Sequence, residues 1–252
     1  MSTIQIEREG RTARLTVDRP PLNILDLSSL EALDTTLEEL AGDPELQVLV
    51  VTGAGDKAFS AGVAVADHVG DRIEPMLQTF HSALRRLFRL PFLTVAAVDG
   101  HCLGGGLELA AVCDLILATP GSRLGVPEIK LGCYPPVAAA LFPTRIGRGR
   151  ALDLILTGET MEAREALRIG LIDAVAEDLE NTIQERTRKV LGLSAAAIRL
   201  AKRATLAALQ EPFEKALAEA ERLYLEELVE TEDMHEGIRA FLEKRKPEWK
   251  HR

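Results

Sequence analysis

The chain has 252 residues, of which 46% are hydrophobic and 4% aromatic, and its formal net charge is −9. A hydrophobic share of this size fills a large aliphatic core, which argues against a disordered chain. The negative charge argues against nucleic-acid binding as the main role, because that role needs a basic surface to displace counterions.

Strands and helices alternate in the first half of the chain. The alternating segments TIQIERE and TARLTVDRP flank Gly10 and predict a β-hairpin. Asp26 and Ser28 are candidate N-caps of a helix that ends near Ala41. A second helix is predicted from Glu74 to Arg89. The continuous apolar segments LQVLVVTG, LTVAAVDG and DLILATPGSRLG are typical of strands buried on both faces of a parallel sheet. This order predicts an α/β fold with crossover helices.

The second half of the chain is almost entirely helical in pattern from about Leu141. PFEKALAEAERLYLEELVE predicts a long amphipathic helix, and DMHEGIRAFLEKRKPEW predicts a last helix with a strongly basic end. No linker rich in proline or serine separates these helices from the sheet. We therefore expect two packed parts, a core of residues 1–190 that carries the site and a helical region of residues 191–252.

The cysteines and the N-terminal segment bear on the compartment. Cys102, Cys113 and Cys133 form no CxxC pair, which argues against a zinc site, and their odd number argues against a disulfide framework. Acidic residues stand where a signal peptide would carry an apolar core, and LPFLTVAAV is too short to cross a bilayer. We expect a cytoplasmic protein without a metal site and without a membrane partner.

Three consecutive glycines lie between a predicted strand and a predicted helix in VDGHCLGGGLELAAVCDLILA. The N–H groups of a first helical turn have no internal partner, so they can stabilise an oxyanion, and glycines admit a close approach. Glu108 follows Gly105 by about one turn, where a carboxylate is placed for proton transfer. Tight helix–sheet packing, with Glu108 in solvent, explains the local pattern equally well. No GxGxxG motif fits, so a dinucleotide site is not supported.

Two further segments contain candidate residues. Ser60 in GAGDKAFSAGVAV loosely matches the GxSxG nucleophile motif, but too many residues separate it from the preceding strand. We therefore prefer the interpretation that this loop supplies N–H groups to an oxyanion hole. In LGVPEIKLGCYPP, Glu128 follows a proline at a predicted helix start. Locally, an ordinary first-turn glutamate favoured by the helix dipole explains it better.

Taken together, these segments resemble the crotonase family, the enoyl-CoA hydratase/isomerase superfamily, over essentially the whole chain. The resemblance is carried by RPPLNIL, KAFSAG, GHCLGGGLELAAVCD, PEIKLGCYPP, LTGE, EALRIGLID and GIRAFLEKRKPEW. Each segment is weakly diagnostic alone, but their order and spacing are specific. The resemblance implies a crotonase-like ββα spiral with a C-terminal helical trimerisation region, assembled as a homotrimer or as a hexamer of two trimers.

The resemblance also implies the chemistry. In the family, N–H groups at the positions of Val63 and Gly105 form an oxyanion hole for the thioester carbonyl of an acyl-CoA. Hydratases of the family carry two catalytic glutamates, which match Glu108 and Glu128. Retention of both favours water addition to an α,β-unsaturated acyl-CoA over an enoyl-CoA isomerase, an acyl-CoA thioester hydrolase or a non-catalytic binding protein. We expect Glu128 to donate the proton to carbon and Glu108 to bind the water.

Coenzyme A enters as part of the substrate, so no separate cofactor is expected. The family binds its adenine and pantetheine through backbone near RPPLNIL and FSAGVAV, and through an aromatic residue and a lysine of the C-terminal helix. The substrate-binding positions implied here are Pro21, Leu22, Ile24, Ala61, Ala64, Val65, Gly104, Pro136, Val137, Phe241 and Lys244.

The chain departs from the common family pattern at two places. Ala64 replaces the usual aspartate, and YPPVAAA replaces a glycine-rich segment. With these departures, FSAGVAVADHVGD and EIKLGCYPPVAAALFP most resemble the branch of cyclohexa-1,5-diene-carbonyl-CoA hydratases. The wall of Pro135, Pro136 and Val137 predicts a short or cyclic acyl group. The histidines are given no role. His68, near the FSAG loop, could line the pocket, but a position at the surface is expected.

Overall fold

The computed structural model describes residues 3–250, most of which lie in strands and helices. The strands are β1 Ile4–Glu9, β2 Thr12–Val17, β3 Val48–Gly53, β4 Ala58–Ser60, β5 Leu93–Val98, β6 His101–Leu103, β7 Leu115–Ala118, β8 Arg123–Gly125, β9 Thr160–Glu162 and β10 Ala174–Val175. The α-helices are α1 Leu27–Ala41, α2 Ile73–Arg89, α3 Gly105–Ala111, α4 Pro136–Arg145, α5 Arg148–Thr157, α6 Ala163–Ile169, α7 Leu179–Leu191, α8 Ala195–Glu226 and α9 Glu232–Leu242. Short 3₁₀ turns lie at Val65–Asp67, Gly70–Arg72, Pro127–Leu131 and Leu228–Glu230.

The strands form two sheets that the chain visits alternately. The first sheet has the order β1-β2-β3-β5-β7-β10, and the second has the order β4-β6-β8-β9. The β1–β2 hairpin and the β8–β9 pair are antiparallel, and the other pairs are parallel. The pairs β3–β4, β5–β6 and β7–β8 each give one strand to each sheet, and α2, α3 and α4 follow them in turn. This repeat is the predicted ββα spiral, and the predicted α/β class is confirmed.

The burial of β3 on both of its faces explains why its sequence is continuously apolar. Leu49 and Val51 pack into the main hydrophobic core, whereas Val48 and Val50 pack into a second cluster with Ile183 of α7. Both faces of the strand are therefore buried, as expected for a parallel sheet covered by helices on each side. The candidate site residues follow strands of the other sheet: Val63 comes after β4, Gly105 after β6 and Glu128 after β8.

Two element boundaries differ from the sequence prediction. DLILATPGSRLG is divided into β7 and β8, which belong to different sheets, because a turn at residues 119–122 redirects the chain. The long helix α8 begins at Ala195 and continues through Pro212. The proline removes one backbone donor, and burial of Phe213, Leu217 and Tyr224 beyond it holds the helix to the core.

The C-terminal helices share the main core of the sheet. Phe213 and Leu217 of α8 and Met234 and Ile238 of α9 belong to the same buried cluster as the strand residues. The division into residues 1–190 and 191–252 stays a prediction. Within residues 3–250, no helix has the length and apolar character that crossing a membrane requires.

Candidate active site

The loop after β4 presents an N–H group without a partner. Leu25 and Val63 form a parallel bridge, in which Leu25 N donates to Gly62 O at 2.9 Å and Ala64 N donates to Leu25 O at 2.8 Å. In a parallel ladder these bonds use the two residues that flank Val63, so its own N–H points away from Leu25. Val63 lines a pocket, and its N–H has no acceptor within residues 3–250.

A second such N–H comes from the glycine turn. Gly104 has φ +55° and ψ −132°, a conformation that L side chains rarely adopt. The helix α3 begins at Gly105, whose N–H belongs to the first turn and has no intrahelical partner. A Cβ atom built on Gly62 would lie 3.1 Å from Gly105 N. The free N–H groups of Val63 and Gly105 therefore belong to adjoining segments of one pocket wall.

Close packing holds these two segments together. A Cβ atom on Gly106 would lie 2.3 Å from Ser60 O, so only glycine lets α3 approach β4 this closely. The Ser60 side chain is buried, and its hydroxyl donates to Asn23 O at 2.7 Å and accepts from Gly62 N at 3.1 Å. These bonds give Ser60 a structural role in the loop, in agreement with the sequence argument against a serine nucleophile.

Glu108 lies on α3 and turns inward, with an exposed fraction of 2%. Its Oε1 accepts a hydrogen bond from Ala138 N, in the first turn of α4, at 2.9 Å. Burial raises the pKa of the Glu108 carboxyl, and the N–H groups of Ala138 and Val137 oppose that rise by stabilising the charged form. The N-terminus of α4 therefore stabilises negative charge on Glu108.

Glu128 lies in the 3₁₀ turn Pro127–Leu131 and faces the glycine turn. A Cβ atom on Gly104 would lie 2.7 Å from Glu128 Oε1. The other oxygen, Oε2, is buried without a hydrogen-bond partner in the described part of the chain. Burial raises the pKa of Glu128, and the negative charge of the nearby Glu108 raises it further. For two carboxyls this close together, the state in which they share one proton is favoured over the state in which both are charged.

Both carboxyls, together with the residues that carry the two free N–H groups, line one pocket. Its apolar wall contains Met76, Leu77 and Phe80 of α2, together with Val65, Leu131, Pro135 and Pro136. Of the predicted substrate-binding residues, the pocket is lined by Ala61, Val65, Gly104 and Pro136.

The other predicted substrate-binding residues lie outside the lining of this pocket. The Val137 side chain is buried in the core, and only its N–H faces Glu108. Ala64 forms backbone bonds to Leu25 and Asp67. Pro21, Leu22 and Ile24 lie on an exposed loop, and Leu22 O accepts from Ala61 N at 2.8 Å, so this loop borders the pocket. Phe241, at the end of α9, is 52% exposed, and Lys244, three residues further along the chain, is exposed as well.

Four polar residues that sequence reasoning left without a role also line the pocket: His68, His81, Tyr134 and Tyr224. His68, expected at the surface, is half-buried, and its Nδ1 lies 3.1 Å from Ala64 O. Burial lowers the pKa of His68. The sequence could have indicated that His81 is buried, because it occupies a position of the apolar face of α2. No group of three or more histidine, cysteine or acidic side chains within residues 3–250 is arranged to hold a metal ion.

A ββα spiral whose pocket combines free main-chain N–H groups with buried carboxyls defines the crotonase class of proteins. The sequence profile of the enoyl-CoA hydratase/isomerase family matches residues 7–252, and the chain belongs to that family.

Named relatives match the chain along nearly its full length. It is 38% identical over 250 residues to the cyclohexa-1,5-dienecarbonyl-CoA hydratase of Thauera aromatica, covering 99% of this chain and 96% of that protein. It is 35% identical over 257 residues to the short-chain-enoyl-CoA hydratase of Clostridium acetobutylicum, covering 98% and 97% respectively. The crystal structure of an enoyl-CoA hydratase from Mycobacterium avium subsp. paratuberculosis K-10 matches with a TM-score of 0.88 at 28% identity, covering 98% of both chains.

Proposed function

We propose that the protein is an enoyl-CoA hydratase that adds water to an α,β-unsaturated acyl-CoA. The observation that carries this proposal is the pair of buried carboxyls, Glu108 and Glu128, in one pocket with the free N–H groups of Val63 and Gly105. The hydratase names of the related proteins support it.

The two N–H groups would bind the thioester carbonyl oxygen of the substrate. Attack at the β-carbon moves an electron pair onto that oxygen, giving an enolate. Donors fixed by the backbone stabilise this charge without having to reorganise, and removal of one such donor costs a typical enzyme about 2.7–4 kcal/mol of barrier lowering. Val63 and Gly105 hold their N–H groups in this way because Leu25 and the Gly104 turn fix the main chain.

The surroundings of the two glutamates divide the proton transfers between them. Glu108 is the charged partner, because N–H groups of α4 stabilise its carboxylate, and it takes a proton from water as the oxygen bonds to the β-carbon. Glu128 is the protonated partner, since its Oε2 lacks a donor, and it delivers its proton to the α-carbon of the enolate. Proton exchange between the carboxyls then restores the starting state.

Product analysis separates hydration from the other reactions of this family. With crotonyl-CoA, a hydratase yields a product heavier by one water with the thioester intact. An isomerase, assayed with a 3-enoyl-CoA, yields a product of unchanged mass, and a thioester hydrolase releases the free thiol of coenzyme A. Only the first outcome agrees with the proposal. Coenzyme A is then part of the substrate, and the reaction needs no separate cofactor.

Substrate choice follows from the wall of the pocket. Pro135 and Pro136 fix the backbone, and Phe80 and Leu77 close the same pocket. A planar ring or a short chain fits such a wall better than a long flexible chain, and the name of the Thauera aromatica relative agrees with a cyclic acyl group. We expect kcat/KM for a cyclic dienoyl-CoA or crotonyl-CoA to exceed that for decenoyl-CoA at least about tenfold. A preference for decenoyl-CoA would refute the wall argument and leave the hydratase proposal intact.

The exposed segments that border the pocket are assigned to the CoA moiety. Backbone near Pro21, Leu22 and Ile24 would contact adenine and pantetheine, because this loop is hydrogen-bonded to the pocket-lining residue Ala61. The aromatic ring of Phe241 and the ammonium group of Lys244 would bind from the C-terminal surface. The helical region would assemble the protein as a homotrimer or hexamer, consistent with the exposed apolar side chains of Leu193, Leu200 and Leu209. Light scattering measures the mass of the assembly directly and distinguishes a monomer, a trimer and a hexamer.

Gly104 offers a test of how Glu128 is positioned. Alanine there would be strained at φ +55°, and its Cβ would lie 2.7 Å from Glu128 Oε1. We expect Gly104→Ala to lower kcat at least about tenfold, because displacement of a proton donor by 1 Å is enough for a loss of this size. Gly121→Ala is the control, since nothing lies within 4 Å of its Cβ position. Equal kcat for the two variants would contradict this role of the glycine turn.

A further inference from the structure

Three buried polar atoms without a protein partner line the same pocket. They are Glu128 Oε2, His81 Nε2 and Tyr224 Oη, and none of the three has a hydrogen-bond partner within residues 3–250. The proposed hydration uses Glu128. It uses neither His81 nor Tyr224, although their exposed fractions are 0% and 1%. Buried polar groups in native proteins are nearly all paired, so two unpaired ones in one pocket require an explanation.

The hydrogen bond on the far side of the ring fixes which proton His81 carries. His81 lies on α2, and its Nδ1 is 2.7 Å from Glu221 Oε1 of α8. The other oxygen of Glu221 accepts from Arg85 Nη2 at 2.6 Å, so this carboxylate is held as an acceptor. Nδ1 must therefore donate its proton to Glu221. A neutral imidazole with a protonated Nδ1 presents a lone pair at Nε2, which is a hydrogen-bond acceptor on the pocket wall.

Tyr224 extends this polar wall along α8. It follows Glu221 by three residues, which places both on one face of the helix. Its ring packs edge-on against Tyr134 with 5.4 Å between ring centroids, which fixes the direction of the hydroxyl. The Cys133 thiol lies beside that hydroxyl, but no group in the described chain bonds to it at hydrogen-bonding geometry. A tyrosine hydroxyl can both donate and accept.

We propose that His81 and Tyr224 form a polar subsite of the acyl pocket that binds a hydroxyl group on the acyl moiety. The hydroxyl donates its proton to His81 Nε2, and Tyr224 is the second polar contact on this wall. A carbonyl group cannot satisfy His81, because Nε2 needs a donor. The favoured substrates are therefore short, hydroxylated, unsaturated acyl-CoA thioesters. This inference rests on the proposed function and names the substrate class of the same site.

Matched pairs of substrates test the subsite. Each 2-enoyl-CoA of four to six carbons is compared with its ω-hydroxylated counterpart, and the ratio of the two kcat/KM values is measured. We expect the hydroxylated member to be favoured by about three- to tenfold for at least one chain length, the factor that one neutral hydrogen bond supplies. A ratio serves here because a general loss of activity affects both members alike.

Substitutions assign the ratio to particular atoms. His81→Asn keeps an amide donor for Glu221 and removes the atom at Nε2, so the ratio should fall to about one. Tyr224→Phe should lower the ratio as well, whereas His81→Gln, which extends an amide toward the Nε2 position, should restore part of it. His235→Asn makes the same chemical change on the exposed surface of α9 and should leave both the rate and the ratio unchanged.

The outcomes separate the subsite from the reaction. If the wild-type protein turns over both members of every pair equally, or if His81→Asn keeps the wild-type ratio, the subsite is refuted and the hydratase proposal stands. If no enoyl-CoA is hydrated, the proposed function is refuted instead. In that case calorimetric binding of saturated ω-hydroxyacyl-CoA and acyl-CoA decides the subsite, because it requires no turnover. If His81→Asn fails to fold, the wild-type ratio and Tyr224→Phe decide.

Discussion

Replacing Glu128 with glutamine should lower kcat for enoyl-CoA hydration at least about 100-fold, the usual scale of general acid–base catalysis. Glutamine keeps the shape of the side chain but has no acidic proton to give to the α-carbon. Glu108→Gln should cause a loss of the same order, because an amide cannot deprotonate water. Glu31→Gln, on the exposed surface of α1, is the control and should keep the wild-type rate. A Glu128→Gln protein with near wild-type kcat would refute its role as proton donor.

The Glu128→Gln variant should also be more stable than the wild-type protein at neutral and alkaline pH. The folded-state pKa of Glu128 is raised, first by burial and then by the charge of Glu108. The folded protein therefore binds this proton more tightly than the unfolded chain does, and stability is lost as pH rises from about 4.5 through the raised pKa. Glutamine never ionises, so the difference in Tm between Glu128→Gln and wild type should grow with pH. A difference independent of pH would contradict this account.

The pair Gly105→Pro and Gly105→Ala should separate the loss of an oxyanion donor from the addition of side-chain atoms. Both variants place a Cβ atom 3.0 Å from Val63 Cγ2 and 3.1 Å from Phe80 Cζ, so both meet the same crowding there. Only proline also removes the N–H, because its ring carbon Cδ is bonded to the nitrogen in place of that hydrogen. Gly105 is the first residue of α3, a position where helices accept proline, so we expect the fold to survive.

We expect Gly105→Pro to lower kcat/KM about 100- to 1000-fold relative to Gly105→Ala, the usual cost of losing one oxyanion donor. Circular dichroism and thermal melting of both proteins check that the comparison is made between folded chains. If the two variants have similar kcat/KM, the N–H of Gly105 does not bind the substrate oxygen.

The sequence predicted the main-chain elements around the pocket better than the side chains that line it. The apolar run of β3 and the three glycines before α3 have local meanings, since burial on both faces and an N–H turn each leave a pattern within a few residues. Glu108 had two local interpretations. The structure places it inward because the first turn of α4 covers it, and that contact joins residues 30 positions apart. The bond between His81 and Glu221 spans 140 positions, so no local pattern could reveal it.

Two other differences have physical causes of the same kind. Val137 follows two prolines and was expected to narrow the pocket, but the direction in which α4 begins turns its side chain into the core. Helix α8 continues through Pro212, because the free energy of burying Phe213 and Leu217 outweighs the loss of one hydrogen bond. In both cases tertiary packing determines the outcome, and contacts between distant parts of the chain cannot be predicted from a local sequence pattern.

The candidate oxyanion donors belong to the main chain, and this bears on how such a protein can diverge. No exchange of one side chain for another removes the N–H of Val63 or Gly105, except a change to proline. Other residues that line the pocket, such as Phe80, His81 and Tyr224, lie on α2 and α8 and can be replaced without removing those N–H groups. Mutation can therefore change the shape of the pocket while the candidate N–H donors are inherited unchanged. Proteins descended from one ancestor would then differ in the substrates that they accept before they differ in chemistry.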